Sequence, residues 1–362
     1  MNKVIRVLHT EWSDGWGGQE IRIIHEMLAV REQGVEVFLA CRESATIRKK
    51  ALEHQIPVFI LPFKGNTDLR TLFALKKLVK QYRIDIINTH SGKDTWVGGL
   101  AAKLAGAKFI RTRHLSNRIK ANRTNFINEL ADYIFTTGES IRNDMIKYNR
   151  IDPNRIQSVP TGIDAELFDP KLYDRLACRQ QFNLQEDYIA IGIVAVLRHF
   201  KRHDLFLKMA KGLIGQFPDK KMVFLIAGEG PQKRKILSIV DQLELNDHVR
   251  FLGHVSMVPE LLTALDVFVL SSDSKEGVPQ SVMQALLMNK AVVATNSGST
   301  EDLFNHDNFM LVGTNSEDLL KEAVSRYIVN SQPINSRQFI LDRFSKPVMT
   351  QKIVTVYQEL VV

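Results

Sequence analysis

Near-continuous apolar runs recur along the chain at 4–9, 35–40, 58–61, 84–88, 108–112 and 133–136. Such runs mark strands buried on both faces of a parallel sheet. Between them, 21–30, 44–53, 69–82, 93–105 and 139–148 return an apolar residue every three or four positions, the period of an amphipathic helix. Strict alternation of the two patterns predicts an α/β domain with helices on both faces of its sheet. The turn Ser158-Val159-Pro160-Thr161-Gly162-Ile163-Asp164 closes this series. Runs at 189–197, 222–227, 249–255, 265–270 and 291–295 then repeat the arrangement, and an amphipathic helix over 344–360 ends it. The expected division is a first domain at 1–165, a linker at 166–186, a second domain at 187–340 and a terminal helical segment at 341–362.

The chemistry gathers where strands end. After the run 265–270 comes Glu276-Gly277-Val278-Pro279, followed by helical spacing over 281–288. Proline tolerates the start of a helix, because the N–H it lacks would be unsatisfied there. A tight turn between strand and helix aims free backbone N–H groups and a positive dipole end at a guest, and phosphate suits both. Gln284 lies eight residues beyond Glu276, about two turns into that helix. This carboxylate and amide can grip two hydroxyl-rich parts of one ligand. The loop Trp12 to Glu20, with Gly17 and Gly18, follows the first strand and can bring a phosphate close to backbone N–H groups. It lacks the Gly-x-Gly-x-x-Gly spacing of nicotinamide and flavin sites. His90 and His114 each end a strand.

Composition narrows the class. The 362 residues suit two domains of ordinary size, and 44% apolar with 24% charged residues is usual for a soluble globular protein. Cys41 and Cys178 are the only cysteines, too few for a disulfide framework or a metal-ligand spacing, and a reducing cytoplasm is the simple expectation. No signal peptide is read at Met1, and no apolar run approaches the roughly 20 residues of a membrane span. The net charge of +8 is lopsided: residues 1–165 hold 26 Lys and Arg against 17 Asp and Glu, so the whole surplus lies there. That predicts an anionic partner surface. Lys76, Lys77, Lys80 and Arg83 read as a solvated helix face, whereas Arg111, Arg113, Arg118, Lys120 and Arg123 crowd the segment around His114 and suit an anionic acceptor or membrane surface.

Glu276 with Gln284 resembles the Glu-x7-Glu signature of retaining glycosyltransferases of the GT-B fold, family 4, with Gln284 at the second Glu. Further motifs are similar to that family along nearly the whole chain: Gly17-Gly18-Gln19-Glu20, Val159-Pro160-Thr161-Gly162-Ile163-Asp164, Ala227-Gly228-Glu229-Gly230-Pro231 and Val249 to Val255. The resemblance implies two Rossmann-like domains with parallel sheets facing a central cleft, and a last helix crossing back to the first domain. It implies that Glu276 and His114 contact the transferred sugar and that Gln284 holds the ribose. It places Arg198 and Lys201, with Gly17, Gly18, Gly277, Val278, Pro279 and Gly298, on the donor diphosphate. Gly228, Gly253, His254 and Val255 would hold the nucleotide, and His90, Arg113, Arg118, Lys120 and Arg123 the acceptor or the membrane.

The implied reaction is retaining transfer from a nucleotide-diphospho-sugar to a glycan or lipid-linked acceptor, without a bound metal and without a protein nucleophile. The leaving phosphate oxygen would take the acceptor proton. The implied setting is bacterial cell-surface polysaccharide or lipopolysaccharide synthesis on the cytoplasmic side of a membrane. Two other readings fit parts of the pattern. An epimerase or phosphorylase would use similar phosphate loops, and a nucleic-acid-binding protein would use the basic half. Basic residues are not interleaved with aromatics on a strand, so no nucleic-acid partner is expected.

Overall fold

In a computed structural model, residues 3–114, 119, 123–274, 276–305, 309–330 and 335–361 are described, the side chains of 123–125 excepted. The chain forms two compact units, Met1–Gly162 with Lys346–Val362, and Ile163–Ser345.

The first unit holds β1 (Arg6–Glu11), β2 (Glu36–Cys41), β3 (Val58–Ile60), β4 (Ile86–Thr89), β5 (Lys108–Arg113), β6 (Tyr133–Thr136) and β7 (Ile156–Ser158). They form one parallel sheet in the order β3-β2-β1-β4-β5-β6-β7, so β1 sits between β2 and β4. Successive side chains of a strand face opposite ways. Val7, Ile86 and Ile110 accordingly pack under the helix Gly18–Arg31, with Ile23 and Met27. Leu8, Ile87 and Phe109 pack on the other face, with Val97 and Ala101 of the helix Gly92–Ala105. Gly99 is small for a reason: a Cβ there would stand 2.6 Å from the Phe109 ring. The terminal helix Lys346–Val361 contributes Met349, Ile353, Val356 and Tyr357 to the first of these cores.

The second unit holds β8 (Ile189–Val194), β9 (Met222–Ala227), β10 (Val249–Gly253), β11 (Val267–Leu270), β12 (Ala291–Thr295) and β13 (Met310–Val312). Their order is β10-β9-β8-β11-β12-β13, all parallel. Residues 166–186 do not form a linker. They fold as part of this unit, with a helix at Arg175–Gln181 and with Phe168, Cys178 and Leu184 buried in its core. Arg179 explains why. Its guanidinium is 2% exposed and donates to the carbonyls of Ala264, Gln185 and Tyr188 and to Asp266, so one buried cation ties three segments together. The helix expected over 344–360 is Lys346–Val361, and a further helix, Arg337–Phe344, precedes it, parted from it at Ser345 just before Pro347.

Candidate active site

In the second unit the loops after β8 and β11 come together. Lys201 Nζ lies 2.5 Å from Glu276 Oε1, and the same oxygen accepts from Ser272 Oγ at 2.5 Å. Both charged side chains are largely buried, 12% and 8% exposed. The backbone keeps them there. Ser271 Oγ donates to the carbonyls of Lys201 and Arg202, Asp273 N to that of Phe200, and Thr295 Oγ1 to that of Ser272. Arg202, held at a left-handed φ of 48°, pairs with Asp204 and with Asp273 at 3.6 Å, fastening the two loops once more. Ser271, Ser272, Thr295 and Arg202 carried no motif in the sequence; only the adjacency of β8, β11 and β12 shows their task.

Gly298 lies under this loop. Its φ is +59°, and a Cβ would stand 2.0 Å from the Glu276 carbonyl oxygen, which accepts from Ser299 N at 3.3 Å. Gly277 and the buried Val278 and Pro279 lead into the helix Gln280–Leu287, for which Pro279 is the N-cap residue. Gln284 sits half-buried inside that helix. The turns after β9 and β10 also meet: Gly228 N donates to the Gly253 carbonyl at 2.7 Å, and a Cβ on Gly228 would fall 2.0 Å from the Ala195 oxygen. His254 is exposed and Val255 half-buried against the core. Arg198 is not brought to the Lys201–Glu276 pair. It is exposed and lines a separate cavity of about 540 Å³ with His203, Gln232 and Lys235.

In the first unit the strand ends β1, β4 and β5 gather a polar cluster. On one face His9 Nδ1 lies 2.9 Å from His90 Nε2, and His90 Nδ1 lies 3.0 Å from His114 Nε2. Burial pushes His9 and His114 down to about 3, helped at His114 by the cations Arg22, Arg113 and Arg111; His90 is lowered well below the usual range, chiefly by burial. Beneath them Glu26 accepts from Arg22 and Asn88, and Asn88 accepts from Thr112. Both ring nitrogens of His90 are thus occupied and the residue is 4% exposed, which corrects the expectation that it meets the acceptor directly.

On the other face Asp94 accepts from Thr10 Oγ1 and from the backbone N–H groups of His90 and Ser91. Glu11 accepts from Ser13 N and Gln19 Nε2, and burial, then the nearby Asp94, push its carboxyl up to about 8. Arg111 and Arg113 are buried here, and burial lowers them to about 9 and about 10. Arg113 is therefore interior, 8% exposed, and not part of a displayed basic surface. Arg118 and Lys120 lie outside the described residues, as does the side chain of Arg123. Gly17 N donates to Glu20 Oε2 at 2.9 Å, closing the start of the helix Gly18–Arg31, and a Cβ on Gly18 would meet nothing within 4 Å.

Among the described residues no group of His, Cys, Asp and Glu could hold a metal ion, and no helix is long and apolar enough to cross a membrane.

Comparison with known proteins follows the same division. The Glycosyltransferase Family 4 profile matches residues 16–167, and that of Glycosyl transferases group 1 matches 174–340. An Escherichia coli UDP-Gal:alpha-D-GlcNAc-diphosphoundecaprenol alpha-1,3-galactosyltransferase is 24% identical, covering 99% of this chain and 98% of its own. A glycosyltransferase from Rickettsia africae superposes with a TM-score of 0.90 at 17% identity, covering 99% of both chains. Anabaena HepE in complex with UDP and glucose superposes with a TM-score of 0.82 at 18% identity, covering 98% of this chain and 100% of its own. With two parallel-sheet units, a carboxylate and a lysine joined at a strand-to-helix turn, and both halves matched in order, the chain belongs to the family 4 glycosyltransferases of the GT-B fold.

Proposed function

We propose that this glycosyltransferase moves a hexose from a UDP-sugar to a lipid-linked diphosphate acceptor, with retention of anomeric configuration, in the assembly of a bacterial surface glycan. The observation that carries the reading is the Lys201–Glu276–Ser272 cluster beside the N-terminus of the helix Gln280–Leu287. Transfer builds negative charge on the departing diphosphate while the sugar carbon becomes cationic. A lysine and free backbone N–H groups meet the first demand. The Glu276 carboxylate meets the second, and its hydroxyl-accepting oxygens orient the sugar.

Supporting the donor class is the UDP and glucose bound by HepE, together with the UDP-Gal named for the Escherichia coli relative. The acceptor named for that relative is a diphosphoundecaprenol, and the basic excess of residues 1–165 suits a lipid-linked diphosphate. Peripheral attachment at an anionic membrane would use the same excess.

His114, neutral because burial and three arginines depress it to about 3, is too weak a base to take the acceptor proton. The leaving phosphate oxygen is the assigned base, and His114 is a hydrogen-bonding group for the sugar. Glycine turns at Gly228 and Gly253 are assigned to the nucleotide, with His254, Val255 and Gln284 beside it, and Gly17, Gly18, Gly277, Val278, Pro279 and Gly298 to the diphosphate. No metal is required, since cationic and main-chain groups balance the charge. Arg198 is left out of the leaving-group site.

The test is an assay of UDP-sugars with polyprenyl-diphospho-sugars. Acceptor-dependent release of UDP with an α-anomeric product supports the reading. UDP release without acceptor, or sugar epimerised on the nucleotide, overturns it.

A further inference from the structure

We propose that His9 and His90 are positioning residues that fix His114 as the Nδ1–H tautomer, so that it faces substrate as a neutral hydrogen-bond donor. The inference rests on the reading that His114 contacts the sugar. It goes further in assigning a donor atom and two supporting residues that never reach the substrate.

The argument is one of counting protons. His9, His90 and His114 stand in a row, joined by contacts of 2.9 and 3.0 Å between ring nitrogens. The first two rings are nearly coplanar, 10° apart. All three imidazoles are neutral, so each carries one N–H. Each contact needs one donor and one acceptor. If His90 Nδ1–H donates to His114, then His90 Nε2 is bare and must accept from His9 Nδ1–H. The two contacts therefore run in the same direction, and only two arrangements of the row exist.

In the outward arrangement His114 Nε2 accepts and its Nδ1 carries the proton. In the inward one His114 Nε2–H donates, its Nδ1 is bare, and the row ends in an N–H on His9 Nε2. That His9 nitrogen is fully buried and has no partner among the described residues. An orphaned N–H in the interior is rarer than an orphaned acceptor, and no oxygen among the described residues is placed to receive it. The outward arrangement avoids it.

The same closed end excludes a proton wire, because a proton passed from His114 to His9 would have nowhere to leave. Arg22, fully buried with both terminal nitrogens unpartnered, adds a fixed positive charge that opposes any imidazolium in the row. Among the described residues His114 Nδ1 is the one ring nitrogen of the row that is neither bonded within it nor buried without a partner, which leaves it for a ligand.

The deciding measurement is a two-bond proton–nitrogen correlation spectrum of the intact protein labelled with ¹⁵N-histidine, assigned with His114→Gln. The expected result is a protonated Nδ1 and bare Nε2 on His114, with no imidazolium signal on acidification through the ordinary histidine range. A protonated Nε2 on His114 overturns the proposal without any assay. His9→Phe, which keeps an aromatic ring but removes the donor, should turn the His114 signal into a mixture of tautomers. It should lower kcat about tenfold with KM for the donor little changed. His9→Gln, whose amide can donate to His90, should restore both readings. Unaltered tautomer and rate in a folded His9→Phe protein overturn the proposal. If the tautomer shifts as expected but His114→Gln turns over at the wild-type rate, the lock stands and the sugar-contact reading falls.

Discussion

Lys201 and Glu276 stand as an ion pair at 2.5 Å, 75 residues apart in sequence and joined where the loops after β8 and β11 meet. The cation assigned to the leaving group and the anion assigned to the sugar therefore neutralise each other in the ligand-free protein. Neither charge is stranded in a largely buried site. In the proposed reaction an incoming diphosphate would compete for the lysine and free the carboxylate for the sugar hydroxyls. Glu276→Gln loses the charge but keeps an amide oxygen that can accept from both Ser272 Oγ and Lys201 Nζ, so the lysine, itself slightly exposed, retains a partner. The substitution should lower kcat by about 100-fold or more while melting within a few degrees of wild type. Lys201→Ala leaves Glu276 unpaired and should cost about 2–4 kcal/mol of stability as well as activity. Denaturant titration beside initial rates separates the two outcomes, and equal destabilisation by both variants would contradict these assignments.

Gly298 tests the backbone under that pair. With φ at +59° and the Glu276 oxygen 2.0 Å from a would-be Cβ, alanine there is strained twice over. Gly298→Ala should push the Glu276 loop out of place, cutting kcat/KM by about 100-fold, whereas Gly18→Ala, which meets open space, should fold and melt like wild type. Steady-state kinetics and thermal melts of the two variants check this. A fully active Gly298→Ala protein would show that the loop relaxes freely.

The paired α/β architecture was legible because buried parallel strands write themselves as unbroken apolar runs: β8 and β9 read directly from Ile189–Val194 and Met222–Ala227. β13 did not, since the three residues Met310–Val312 carry too little pattern. The stretch 166–186 read as a linker because its anchor is a single arginine, Arg179, in a polar sequence, and burial of a cation is invisible without its carbonyl partners. Glu276 and Lys201 were named from motifs. Their contact, and the row from His9 to His114, needed strand order: β4 lies between β1 and β5, which brings together histidines 81 and 24 positions apart. Arg198, named from the same motif as Lys201, lies exposed on the wall of a separate cavity.

The terminal helix should matter to the first unit alone. Ile353 is wholly buried there among Ile23, Met27 and Val7, and Tyr357 closes over Glu26. Ile353→Ala removes buried volume that a rigid sheet cannot refill, at about 2–5 kcal/mol. Amide hydrogen exchange should speed up across β1, β2 and β4 and stay unchanged across β8, β9 and β11. Equal acceleration in both sheets would show that the helix stabilises the whole chain.

Glu11 makes stability depend on pH in a direction opposite to an ordinary salt-bridged carboxylate. Burial, then Asp94, raise it from 4.5 to about 8 in the folded protein. Between those values the folded state holds a proton that the unfolded state has released. Stability therefore falls as pH rises through that window, and the full cost is reached above the folded value. The buried histidines act the other way: His9 and His114, lowered to about 3, take up protons only on unfolding, so stability falls as pH drops below their ordinary 6.5. Melting temperature should accordingly peak inside the window where both costs are partial. Glu11→Gln keeps an acceptor for Ser13 N, and the Gln19 amide can turn to meet the new side chain. It should raise the melting temperature by about 5–10 °C at pH above 8 and leave it almost unchanged below 4.5. Scanning calorimetry of both proteins across that range checks the sign, and a gain on the acid side alone would place the Glu11 proton elsewhere.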